Sequence, residues 1–336
     1  MSQCCEIIAE LSANHNGSLD RAKEIVRAAA KAGANTLKLQ TYTADTLTIP
    51  SEGELFQIKG TQWDKESFYS LYQRAAMPWE WTKPLMELSH ALGLECFSTP
   101  TDATSLDFLE SCGMMRYKIA SFELVDIPLL KRIASTGKAV VLSTGMATLA
   151  EIDEAVSTLR AHGTADLTLL KCTSAYPASA EECNLRTIPH MAEAFCCPVG
   201  LSDHTMGSAV AVAAVSLGAA IIEKHFTLAR SDGGPDSAFS MEPHEFKQMV
   251  ADVRTTEKAL GSVNYGLTEK QKESALFRRS LFAVCDIKAG EPFTSRNVRC
   301  IRPANGLHPR YLELILKKSA NRDIQAGEPL DWNFIS

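Results

Sequence analysis

The chain has 336 residues, 45% of them hydrophobic and 22% charged, an ordinary composition for a globular enzyme. Its net charge of −6, without a long basic run, argues against a nucleic-acid partner. No apolar run reaches membrane-spanning length, no secretory leader precedes the core-like run at residues 6–11, and the ten scattered cysteines show no CxxC spacing, so reduced thiols and a cytoplasmic location are expected.

Taken in order, the chain repeats one unit: a short apolar run, a polar residue, then an amphipathic stretch. The strand candidates are residues 7–11, 36–40, 95–98, 117–120, 139–142, 167–171, 199–201 and 220–223. Helical patterns fall at 19–32, 80–92, 103–112, 128–135, 149–161, 188–195, 207–217 and 243–260, several of them closed by a glycine. Eight strands alternating with eight helices predict an α/β fold of the (β/α)8 TIM barrel type over residues 1–260. An open doubly wound sheet is the alternative, but no GxGxxG turn follows the first strand. Residues 42–79 interrupt the rhythm after the second strand and are expected to form a lid or rim on the catalytic side. Residues 261–277 read as a linker. Beyond it, short alternating runs and a repeated AGEP turn predict a small, mostly β domain at 278–336.

Active sites of such barrels gather at the strand ends. There the sequence places Glu10 with Asn14, His15 and Asn16; Lys38 with Gln40; Ser98 and Thr99; Lys118 with Ser121 and Glu123; Ser143 and Thr144; Lys171, Thr173, Ser174 and Tyr176; Asp203 and His204; Lys224 and His225. Lysines interleaved with hydroxyls suit a phosphorylated anion. Lys38 and Lys118 lie inside apolar runs, where an unpaired ammonium is costly. Glu10 reads either as an acid/base or as the partner of a buried lysine. Residues 14–17 read either as site residues or as a turn before a helix capped by Ser18. His204 and His225 end successive strands, which a parallel sheet holds about 4.8 Å apart, close enough to share a divalent metal. Asp236, in the glycine-marked loop after the last strand, is a further ligand or base, or part of an ordinary turn.

The segments ELSANHNGS, LKLQTYT, FSTP, YKIASFEL, STGM, KCTSAYP, GLSDHT, EKHFT, GGPDSAFS and FRRSLF occur in this order. Together they resemble the sialic acid synthase family over nearly the whole chain. The stretch IKAGEPFTSRNVRCIRPANGLHP is similar to that family's C-terminal antifreeze-like (β-clip, SAF) domain. ELSANHN in place of EIGINHN, TYTADT, SFEL in place of SGEI, and DGGPDSAFS are most similar to the family's pseudaminic acid branch. The resemblance implies condensation of phosphoenolpyruvate with an amino-sugar aldehyde, giving a nine-carbon 2-keto acid and phosphate. For that branch the sugar is 2,4-diacetamido-2,4,6-trideoxy-L-altrose; N-acetylneuraminate or legionaminate synthesis by the same mechanism is the alternative. It further implies metal ligation by His204 and His225, with Mn2+ or Mg2+ as the ion. Phosphoenolpyruvate contacts are implied at Lys38, Thr99, Lys118, Ser121, Ser143 and Tyr176, and at Ser174, which stands where sialic acid synthases carry asparagine. Glu10, Glu123 and Asp236 match family carboxylates. Arg302, in RPANG rather than RPGNG, matches an arginine that reaches the sugar from the partner subunit of a domain-swapped homodimer.

Overall fold

The computed structural model describes residues 4–61, 63–64 and 66–336. Eight parallel strands close into a barrel in sequence order: β1 (Glu6–Glu10), β2 (Thr36–Thr41), β3 (Glu95–Pro100), β4 (Arg116–Ile119), β5 (Ala139–Ser143), β6 (Leu167–Cys172), β7 (Val199–Asp203) and β8 (Ile221–His225). β1 pairs with β8, Glu10 opposite His225, which joins the first and last strands. Each observed strand begins or ends within two residues of its expected bounds, and helices Leu19–Ala32, Leu149–Ala161 and Pro243–Leu260 match theirs. Local chemistry explains that agreement. The Ser18 hydroxyl caps the first helix by accepting the Arg21 N–H, and Gly33 ends it in a left-handed conformation, φ 95. Thr148 and Glu151 form a reciprocal capping box at the start of Leu149–Ala161.

The outer helices bury one stripe against the strands. In Leu19–Ala32 the buried side chains are Ala22, Ile25, Val26, Ala29 and Ala32, spaced for one helical face. Burying Ile25 and Val26 stabilises the fold by about 1.5–3 kcal/mol each, so Ile25→Asp would unseat the helix. Inside the barrel, in-phase residues of neighbouring strands meet in layers. At the N-terminal end, Glu6 binds Arg116 through both carboxylate oxygens at 2.7 and 2.9 Å and accepts a hydrogen bond from Thr36 Oγ1 at 2.6 Å. Four residues further along β1, Glu10 begins the corresponding layer beneath the opposite mouth.

Residues 42–79 contain helices Ala44–Leu47 and Phe68–Ala75. Trp63 Nε1 donates to the Pro235 carbonyl at 3.0 Å, so this segment reaches the loop after β8 and forms part of the mouth's rim.

The chain divides into two compact units at Gly261 and Ser262. In the second, β9 (Ser280–Ala283) pairs antiparallel with β10 (Val298–Ile301). Leu281, Ile287, Phe293, Ile315, Ile324 and Leu330 belong to its own core. The repeated AGEP segments make the same turn twice: Gly290 and Gly327 are left-handed at φ 84 and 91, and Glu291 and Glu328 accept from the N–H of Lys288 and Gln325.

Candidate active site

The layer beneath the mouth is a buried charge cluster. Lys118 Nζ lies 3.0 and 3.1 Å from the two carboxylate oxygens of Glu223. Lys38 Nζ lies 3.2 Å from Glu223 and 2.7 Å from Glu10. Ser202 Oγ donates to Glu223 at 2.9 Å, and the Ser12 N–H donates to Glu10 at 2.9 Å. None of the four charged side chains is more than 5% exposed. Burial drags the Lys38 ammonium down to about 7 against the opposing pull of Glu223. Burial also pushes the Glu223 carboxyl up, but Lys118 and Lys38 outweigh it and hold the group well below the usual range. Glu10 therefore does partner a buried lysine.

Hydroxyls ring the mouth above this layer. Thr99 and Ser143, at the ends of β3 and β5, are buried, and their oxygens meet no hydrogen-bond partner among the described residues. Buried hydroxyls without a partner are uncommon, and these two lie at the strand ends where a ligand could supply one. Ser121 Oγ accepts from the Gly145 N–H at 3.0 Å. A Cβ on Gly145 would lie 2.2 Å from Ser174 Oγ and 2.7 Å from Ser121 Oγ, so only glycine lets the three segments converge. Burial raises the Tyr176 phenol and keeps it a neutral donor, and burial pushes the Glu123 carboxyl up to about 7.

The two imidazoles meet as their strand positions dictate. β7 and β8 pair Ser202 with Glu223 and Asp203 with Lys224, so His204 comes next, opposite His225. Their ring centroids are 5.3 Å apart. Tyr176 packs 4.4 Å from His204 and Phe239 packs 5.0 Å from His225. His204 Nδ1 donates to the Thr173 carbonyl at 3.0 Å, which fixes the ring's orientation and leaves Nε2 as the nitrogen available to a metal. His225 Nδ1 is buried without a partner among the described residues, and burial drives this imidazole well toward its neutral form. Two imidazoles this close, one with a nitrogen that meets no partner among the described residues, fit a divalent ion. No group of three or more His, Cys, Asp or Glu forms a metal cage among the described residues, so such an ion would take its remaining ligands from water and substrate.

Several strand-end residues face elsewhere. Lys224 binds Asp203 at 2.6 Å, each 1% exposed, on the strand faces opposite to His225 and Ser202. Lys171 Nζ turns back to the Cys172 carbonyl at 2.9 Å. His15 packs edge-on against Trp81, centroids 5.6 Å apart, instead of joining the other imidazoles. Asn14 and Asn16 tie the loop after β1 to the loop after β8. Asn14 Nδ2 donates to the Phe226 carbonyl at 3.0 Å and to Ser240 Oγ at 2.9 Å, and Asn16 Nδ2 donates to the Gly233 carbonyl at 3.0 Å. Asp236, in that second loop, accepts from the Ser12 hydroxyl and the Ala13 N–H. Arg302 is exposed in the second unit, directly after β10.

Sequence reasoning passed over Glu223, Ser202, Phe239, Trp63 and Cys172. Cys172 Sγ lies 3.6 Å from Ser174 Oγ and 3.9 Å from His204 Nδ1. Burial raises this thiol, but hydrogen bonding to His204 and nearby hydroxyls brings it down to about 7. The available signal for Glu223 was its place two residues before His225, on the same strand face.

A model of the NeuB family matches residues 25–265, and a SAF domain model matches residues 278–336. The chain belongs to the NeuB family. This NeuB-family chain is 45% identical to a pseudaminic acid synthase of Helicobacter pylori (strain ATCC 700392 / 26695) over 331 residues, 98% of this chain and 97% of that protein. It is 46% identical to a pseudaminic acid synthase of Campylobacter jejuni (serotype O:23/36, strain 81-176) over 324 residues, 96% of this chain and 94% of that protein. Among solved structures, the N-acetylneuraminic acid synthetase of Leptospira borgpetersenii, crystallised with citrate, superposes with a TM-score of 0.72 at 32% identity, covering 81% of this chain and 90% of that one. Among the described residues, no helix is long and apolar enough to cross a membrane.

Proposed function

We propose that the chain is a pseudaminic acid synthase. It condenses phosphoenolpyruvate with 2,4-diacetamido-2,4,6-trideoxy-L-altrose and water to give pseudaminic acid and phosphate. The observation that carries this reading is the identity of 45–46% to two proteins of that name over nearly their whole lengths. The chemistry of the mouth supports it.

Lys38 and Lys118 hold the anionic end of phosphoenolpyruvate, with Thr99, Ser121, Ser143, Ser174 and Tyr176 as hydrogen-bonding partners. His204 and His225 hold a divalent ion, Mn2+ or Mg2+, which when bound supplies Lewis acidity to the sugar aldehyde. Carbon 3 of phosphoenolpyruvate attacks the aldehyde carbon and forms the new C–C bond. Carbon 2 becomes cationic and adds water. Glu10 stabilises that charge and takes the water's proton. The tetrahedral adduct then expels phosphate with its bridging oxygen, the adduct's hydroxyl proton leaving with the phosphate, and the former aldehyde oxygen takes the proton that Glu10 accepted, leaving the ketone and a new hydroxyl. Glu123 and Asp236 hold the sugar. Arg302 completes the site from the partner subunit of a domain-swapped homodimer, and the enzyme works in the cytoplasm.

The test is phosphate release on mixing enzyme, phosphoenolpyruvate, metal and a candidate sugar. The 6-deoxy diacetamido sugar should exceed N-acetylmannosamine in kcat/KM by about tenfold or more, because a hydroxyl set against a wall built for a methyl group loses its hydrogen bonds. Comparable values, or preference for the legionaminate precursor, would contradict the assignment.

A further inference from the structure

The turn after β1 holds a backbone conformation that its residue does not favour. Ser12 has φ 51, in the left-handed region that glycine adopts freely and serine does not. Such conformations persist where surrounding bonds over-determine them, and they cluster at functional sites. Here the bonds are specific. The Ser12 N–H donates to Glu10 Oε1 at 2.9 Å, while its hydroxyl donates to Asp236 Oδ2 and receives a hydrogen bond from Gln40 Nε2 at 3.4 Å. The N–H and the hydroxyl hang from one Cα. Rotating φ into the usual negative range would pull one of them off its carboxylate.

Asp236 is the second half of the device. Its Oδ2 takes both donors, the Ser12 hydroxyl and the Ala13 N–H at 3.3 Å. Among the described residues no donor reaches its Oδ1. The residue directly precedes the turn Ser237–Phe239, whose Phe239 ring lies 5.0 Å from His225 and 5.1 Å from Tyr176, so this carboxylate belongs to the mouth. Through Ser12 it is linked to Glu10 and thence to Lys38.

We propose that Ser12 is a positioning residue for the sugar: its left-handed backbone holds the hydroxyl on Oδ2 of Asp236, and Oδ1 is thereby presented to a hydroxyl of the aldehyde substrate. The proposal rests on the reading of the mouth as a sugar-aldehyde site.

The test compares full-length Ser12→Gly and Ser12→Ala with wild type by thermal melting and by steady-state KM for each substrate. Both variants lose the hydroxyl, so both should raise the sugar KM about tenfold, the loss expected for a hydrogen bond to a charged group. The KM for phosphoenolpyruvate should stay within about twofold in both. The variants differ in strain. At an ordinary position alanine is more stable than glycine. At a left-handed one the order reverses, and Ser12→Gly should melt about 2 °C above Ser12→Ala. An alanine variant melting above the glycine variant would overturn the backbone argument. An unchanged sugar KM in both variants would overturn the positioning role, as would equal increases for both substrates. If the wild type releases no phosphate with any amino-sugar aldehyde, the sugar-site reading itself fails. Wild-type turnover with unaffected variants fails Ser12 alone.

Discussion

Replacing Glu223 by glutamine keeps the shape of the side chain and removes its charge. Glu223 sits between two ammonium groups, 3.0 Å from Lys118 Nζ and 3.2 Å from Lys38 Nζ, and all three side chains are buried. After the substitution Lys38 keeps Glu10, but Lys118 loses its only ion-pair partner among the described residues. Removing one member of a buried pair costs about 3–5 kcal/mol, because the remaining charge is left in a low-dielectric interior. At roughly 2–4 °C per kcal/mol for a domain of this size, Glu223→Gln should melt about 6–20 °C below wild type at neutral pH. Calorimetry measures this directly. Adding Lys118→Met to the variant should recover much of the loss, since the uncompensated ammonium is gone. Saturating phosphoenolpyruvate should raise the melting temperature of Glu223→Gln more than that of wild type, because the bound anion supplies the missing charge. A shift under about 2 °C in the single variant, or a double variant less stable than both singles, would refute the reasoning.

Three further outcomes are expected. A chelator should abolish phosphate release and Mn2+ or Mg2+ should restore it, with His204→Ala and His225→Ala each losing at least about 100-fold in kcat; full turnover in metal-free buffer would remove the ion from the mechanism. The Glu123 carboxyl, raised by burial to about 7, is neutral below that pH and anionic above it, where its charge opposes the phosphoenolpyruvate anion beside Lys118 and Lys38; the KM for phosphoenolpyruvate should therefore rise as pH climbs through neutrality, and Glu123→Gln should lessen the rise without removing the part due to loss of the Lys38 proton, while an unchanged pH profile in the variant would reject this. Hybrid dimers of His225→Ala with Arg302→Ala should regain activity approaching half that of wild type, because a swapped arrangement leaves one site free of both defects; confirmed hybrids without recovery would reject the swap.

The barrel was legible because parallel strands buried on both faces read as short apolar runs, and because caps such as Ser18 and Thr148 and stops such as Gly33 mark the helix ends. The phase of each strand was harder to see. Within an apolar run a charge signals only that it must be paired, not which way it points. Lys38 and Lys118 were legible as buried cations, yet Glu223, which compensates both, looked like an ordinary strand end. Asp203 and Lys224 looked equivalent to their neighbours, although alternation turns them to the opposite face, where they pair with each other. His15 was ambiguous for a related reason: its partner, Trp81, lies beyond the insertion at 42–79, and no local pattern announces such a contact.

The seam between β1 and β8 has a consequence for how the enzyme comes into being. Glu10 and His225 are neighbours in space, yet the ribosome makes Glu10 and seven of the eight strands before it reaches His225. Glu223, Asp236 and the loop that Asn14 secures arrive equally late. A nascent or truncated chain can form early strands and helices and bury much of its apolar surface, but it holds Lys38 without Glu223 and Ser12 without Asp236. Contacts this distant in sequence form late and slowly. Catalytic competence is thus withheld until the barrel has closed, and measured turnover during refolding would report the last event of folding, not the first.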